Sequence, residues 1–239
     1  MITTKPDADK IIAERNTVRR FTVSEGTVIR AAIFIMFAFP VLLLAAVFLQ
    51  PFAEPKWMFL DPLAAAEMAP ECCHVYYGFI SNIGLVFWIG TAAVCLVVGL
   101  AFWAVSGADR FTRFALSAGC LSGWIGLDDM FLVHEKVMPK LGVPQELVMI
   151  IYLALAALYV AVSWRFIFAQ SWWILVLGAA ALGLSMFVDQ FFHSVEAGIV
   201  YLEDSAKFFG IMCWSTFHLL AVFEHLCARL QPKERGSLS

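Results

Sequence analysis

This chain has little charge. Asp, Glu, Lys and Arg make up only 15% of its 239 residues, while 62% are hydrophobic. A water-soluble core of this size could not hide so much apolar surface, and the apolar residues come in long runs rather than at helical or strand periods. That excludes a soluble enzyme, a nucleic-acid binder and a disordered tail. Internal repeats, a glycine-rich phosphate loop and low-complexity linkers are also missing, so the chain reads as one domain. Nothing shows the dyad alternation of a barrel strand, and backbone groups in lipid must be satisfied within their own segment. The expected fold class is therefore all-α, a polytopic transmembrane helical bundle.

Spans of about 20 mainly apolar residues cross a bilayer. Six are predicted, running from Thr27 to Gln50, Tyr76 to Val105, Arg113 to Leu132, Leu147 to Phe168, Trp172 to His193 and Glu203 to Leu226. Pro40 should bend the first, because it removes an N–H and its ring clashes with the preceding turn. The segment before that span is too long for the basic region of a signal peptide, so cleavage is not expected.

Lys and Arg are retained on the cytoplasmic side of a membrane. Twelve of the sixteen basic residues fall on one side if both termini are cytoplasmic: Lys5, Lys10, Arg15, Arg19, Arg20, Arg30, Arg110, Arg113, Arg165, Arg229, Lys233 and Arg235. Only Lys56, Lys136, Lys140 and Lys207 fall on the other. The expected organisation is a cytoplasmic basic segment over 1–26, a six-span domain over 27–228 and a cytoplasmic tail over 229–239, in the cell (inner) membrane.

Acidic residues gather at the opposite, outer end, together with His74, His134 and His193. An ionisable group inside an apolar helix costs a few kcal/mol unless it finds a partner in the bundle interior. The third span ends in Asp128-Asp129-Met-Phe-Leu-Val-His134-Glu135. At about 100° per residue, Asp128 and Glu135 share a face while Asp129 and His134 diverge from it, so a continuous helix cannot aim all four at one point. Either the helix ends near Val133 or only some of them converge.

Asp189, His193 and Glu196 follow an i, i+4, i+7 spacing, which places them in one stripe. A carboxylate and an imidazole one turn apart form a two-ligand half-site for zinc or iron. Glu203 and Lys207 stand at i, i+4 with the acid first, the favourable order for an intrahelical ion pair, and Glu203 and Asp204 also suit a helix N-terminus. His218 and His225 follow on the same span, toward the cytoplasm. Cys72 and Cys73, next to His74, add soft ligands on the outer side, but their spacing matches no standard metal motif.

The leading functional expectation is a metal-dependent hydrolase acting on an amphiphilic, lipid-like substrate at the outer membrane face. The metal is a divalent transition ion, zinc rather than iron, held by some of His134, Asp189, His193 and Glu196, with Asp128 or Glu135 as general base. Glu203, Asp204, Lys207, His218 and His225 are structural or relay groups. The alternative, from the same carboxylates and histidines, is a proton or cation transporter or sensor. A non-catalytic accessory subunit is the third possibility. Membrane lipids are the expected partners, and oligomeric state is left open.

Overall fold

The computed structural model describes residues 24–70, 73–192 and 197–230. Among them every regular element is helical, and five helices are long and apolar enough to cross a membrane, or six if the bent segment over 110–140 counts as one span. Six long helices carry the fold: α1 (Glu25–Leu49), α4 (Phe79–Ser106), α5 (Arg110–Phe131), α7 (Gln145–Ile167), α8 (Trp172–Phe192) and α9 (Ala197–Leu230). Their bounds follow the six predicted spans closely. The exception is α9, which begins six residues before Glu203. Three short helices, α2 (Lys56–Phe59), α3 (Pro62–Met68) and α6 (Met138–Lys140), lie in the connections.

Local chemistry sets several of these ends. The Ser24 hydroxyl accepts from the Thr27 amide to start α1, and the Asp109 carboxylate accepts from the Thr112 amide at 2.7 Å to start α5. The α1 helix continues through Pro40 without a break. Gly107, at a positive φ of 72°, ends α4, and its amide donates to the Trp103 carbonyl.

The bundle is organised around α9, which packs against α8, α4, α1 and α5. Its most apolar 18-residue window is 67% buried, against 17–28% in the other four helices that qualify as spans, so α9 is the axis of the bundle. Contact between α8 and α9 depends on glycine. A Cβ on Gly178 would sit 2.9 Å from Cys213 Cβ and 3.2 Å from the Gly210 carbonyl, and one on Gly210 would meet Leu182 at 2.6 Å. Small residues let backbones approach in this way where no water drives apolar surfaces together.

Apolar side chains such as Phe34, Leu42, Val86, Leu100, Ile150, Leu158 and Phe187 point outward. Asp128, Ser122, Ser163, Ser185, Ser215, Thr91 and His218 are buried. This distribution suits a bundle whose solvent is hydrocarbon. At one end Arg229 reaches Asp109 at 3.7 Å and Arg110, Arg113 and Arg165 surround one cavity. The carboxylates collect at the other end.

Candidate functional site: an interior carboxylate, lysine and histidine cluster

The cluster begins where α5 stops. Leu132 adopts a left-handed conformation (φ 48°), and a π-helical turn over Val133–Val137 follows, which together with α6 is bent 56° from α5. A β-branched or bulky residue at positive φ is strained, and here the strain redirects the chain. His134 swings back over Asp128: its backbone N–H donates to Oδ1 at 2.8 Å, and its Nδ1 lies 2.5 Å from Oδ2. Its Nε2 is 3.5 Å from Glu135 Oε1. The helix thus ends at Phe131, two residues ahead of Val133, and the break brings Asp128, His134 and Glu135 together.

Asp129 turns the other way, into the bundle. Its Oδ1 lies 2.5 Å from Lys207 Nζ on α9, and its side chain is only 7% exposed. Lys207 is therefore paired across to α5, whereas the i, i+4 spacing predicted Glu203 on its own helix. Magnitudes explain the choice. An exposed i, i+4 pair contributes about 0.2–0.5 kcal/mol, while a buried carboxylate left without its partner costs about 3–5 kcal/mol.

Asp61, in the connection before α3, belongs to the same cluster. It accepts a hydrogen bond from Ser81 on α4 and stands next to the first residue of α3. A cavity of about 90 Å³ lies between Asp61, Ser81, Asn82, Asp129 and Leu132. Behind it a void of about 10 Å³, room for one water, touches Ser81, Asp129, Asp204 and Lys207. Lys207 feels the charges of Asp129, Asp61 and Asp204, while Glu203 feels those of Asp189, Glu135 and Asp61. Asp189 also accepts from Gln145 Nε2 on α7 at 3.3 Å. The ends of α5, α8 and α9 that carry these acids therefore meet, with α3, α4 and α7 closing around them.

At the rim, Lys136 donates to Glu67 at 2.8 Å. The Lys136 ammonium holds the Glu67 carboxyl below its usual range, and the carboxylate in turn pushes the ammonium up.

His193 and Glu196 lie outside the described residues, as does Cys72. Cys73 is disulfide-bonded, so it is not the free thiol that soft-metal ligation requires. Among the described residues no three His, Cys, Asp or Glu side chains are grouped so as to hold a metal ion. His134 has committed Nδ1 to Asp128, which leaves only Nε2 for any further partner.

His218 and His225 stand apart from this cluster. His218 is fully buried, with Nδ1 2.7 Å from the Trp214 carbonyl and Nε2 2.7 Å from the Tyr159 hydroxyl. A carbonyl can only accept, so Nδ1 carries the proton, Tyr159 donates to Nε2, and the ring is neutral with both nitrogens satisfied. On α9 the residues between Lys207 and His218 include Phe208, Ile211, Met212, Cys213 and Phe217, all buried. His225 stacks on Phe111, with ring centroids 3.7 Å apart.

Fold and site together define a polytopic helical bundle with an ionisable interior at one end. The chain belongs to the family described as domain of unknown function (DUF8692), which matches residues 32–221, from the first long helix into the last. No curated protein and no solved structure matches the chain.

Proposed function

We propose that this is a multi-pass inner-membrane protein, with both termini cytoplasmic, whose outer-facing cluster binds protons, or a small cation in their place, as a sensor or transporter. The observation that carries this reading is the charge imbalance around Lys207. One ammonium stands among Asp61, Asp129 and Asp204, with Glu135, Asp189 and Glu203 close by. Carboxylates gathered this densely at low dielectric around one lysine repel one another, and protons or a bound cation would relieve that repulsion. Sensing is favoured over a through-going relay, because buried apolar side chains separate Lys207 from His218 and His218 has no vacant nitrogen. The orientation rests on the basic-residue bias, on the gathering of Arg110, Arg113, Arg165 and Arg229 at one end, and on a disulfide-bonded Cys73 at the other, oxidising side.

Infrared difference spectroscopy in proteoliposomes tests this reading. Shifting from neutral to mildly acid medium should raise a protonated-carboxyl band that is reduced in Asp204→Asn and Asp129→Asn. An identical band in the parent and both variants would refute it.

The metal-dependent hydrolase remains a second reading, favoured by one observation: Asp128 fixes His134 Nδ1 and leaves Nε2 facing Glu135, as carboxylates do behind metal-ligating histidines. Elemental analysis of the purified protein decides it. A stoichiometric transition metal that is lost in His134→Ala supports the hydrolase, and its absence from the parent eliminates it.

A further inference from the structure

The end of the bundle opposite the carboxylate cluster carries a feature that neither reading uses. Arg110 and Arg113 on α5 and Arg165 on α7 line a single cavity of about 350 Å³, together with Ser163, Trp164 and Phe166. All three arginines are exposed, and among the described residues none is ion-paired with a carboxylate. The nearest candidate, Asp109, is already engaged by the Thr112 amide and by Arg229. Arg165 lies over the face of the Trp164 ring at 5.2 Å, which aligns its guanidinium without neutralising it.

The positions are informative. Arg165 sits in the last turn of α7, where a cation complements the helix dipole, so it needs no further explanation. Arg110 and Arg113 sit in the first turn of α5, where the dipole disfavours cations and like charges at i, i+3 repel each other. Retention of basic residues on the cytoplasmic side demands their number but not their convergence on one cavity. At the inner wall, Ser163 is only 4% exposed, and its hydroxyl has just a long 3.5 Å contact to Ser117, whose own hydroxyl donates to the Arg113 carbonyl at 2.6 Å. Arg113 Nε reaches only the Asp109 carbonyl, at 3.4 Å, so a buried hydroxyl with one long contact and three guanidiniums that, among the described residues, have no carboxylate partner together describe an oxyanion site.

We propose that this cavity binds a phosphate group, and that its placement between two helices at the level of the basic headgroup zone selects the phosphodiester of an anionic phospholipid. Arg is suited to this because its planar fork meets phosphate oxygens two at a time. Free inorganic phosphate presents the same chemistry and is the other source.

Native mass spectrometry and thermal melting of the full-length protein in a neutral maltoside detergent test the proposal. The probes are short-chain phosphatidylglycerol, short-chain phosphatidylcholine and inorganic phosphate. Phosphatidylglycerol should bind at one saturable site and raise the melting temperature, while phosphatidylcholine, with a phosphate but no net charge, should do so weakly. Each of Arg110→Gln, Arg113→Gln and Arg165→Gln should weaken binding about fivefold, and the triple variant roughly a hundredfold, the scale expected for about three surface cations facing an anionic lipid. Lys136→Gln, at the opposite end, should bind as the parent does. Because the three side chains are exposed, the variants should melt as the parent does without lipid, and Ser163→Ala gives an independent reading should one of them not fold. Equal stabilisation by inorganic phosphate and lipid would support an oxyanion site and remove the lipid selection. Undiminished phosphatidylglycerol binding in the triple variant, or no saturable binding of either probe to the parent, overturns the proposal.

Discussion

Replacing Lys207 by Met keeps most of the side-chain volume and deletes the charge that faces Asp129. The ammonium lies 2.5 Å from Asp129 Oδ1, and the two side chains are 27% and 7% exposed. Removing one member of a buried pair strands the other, which costs about 3–5 kcal/mol in comparable sites. Asp61 and Asp204 then add repulsion that Lys207 had offset. For a chain of this length each kcal/mol lowers the melting temperature by about 2–4 °C, so Lys207→Met should melt roughly 6–20 °C below the parent in the same detergent. The deficit should shrink in acid, because a proton on Asp129 removes the stranded charge. Asp129→Asn in the Lys207→Met background should recover about 1–3 kcal/mol, the coupling expected of neighbours in one network. A loss below about 1 kcal/mol, or single losses that merely add in the double variant, would mean the pair does not pin α5 to α9.

Other substitutions report on separate parts of the molecule. Gly178→Leu places a side chain where even a Cβ would sit 2.9 Å from Cys213 and should cost at least the 1–3 kcal/mol typical of overpacking, whereas Gly183→Ala, with nothing within 4 Å of its Cβ, should be neutral or slightly stabilising in the same melt. Tyr159→Phe removes the hydroxyl donating to His218 Nε2 and should cost about 1–3 kcal/mol without changing any proton uptake by the carboxylate cluster. Asp109→Ala removes the α5 cap, a loss of about 1 kcal/mol. Although burial pushes the Asp109 carboxyl up, the hydrogen bond from the Thr112 amide and the charge of Arg229 outweigh it and hold it below the ordinary 3.8. The cap is therefore fully present above that value and lost as the pH falls through the depressed one, so parent and variant should converge in strong acid.

The long helices were legible because their signal is additive: twenty apolar residues in a row outweigh any single propensity, and the termini of α1, α4 and α8 fall within a few residues of the hydropathy edges. The shorter elements were not read, although one carried a signature. Asp61 followed by Pro62 is an acid at the cap and a proline at the first helical position, the usual start of a helix, and α3 begins there. No comparable signal marks Leu132. Left-handed backbone is expected of Gly or Asn, and a leucine in that conformation is imposed by tertiary packing, which holds it at 2% exposure.

The same distinction explains what was seen of the site. Periodicity sorts residues by face within one helix, so it separated Asp128 from Asp129 and required a break if His134 was to join Asp128 and Glu135. It cannot say which other helix a face meets. Spacing therefore offered Lys207 either Glu203, the acid one turn away on its own helix, or an unspecified neighbouring acid, while its partner Asp129 lies 78 residues back along the chain. Asp61 was missed for a related reason: it sits in a connection, where apolar periodicity carries no information, and it enters the cluster only because α3 folds over the end of α4 so tightly that Gly78, at φ 65°, leaves no room for a Cβ beside the Pro62 ring. A buried lysine in a last span should thus be paired by desolvation cost before helical spacing. The ammonium goes to a carboxylate buried on a neighbouring helix, and here that is Asp129.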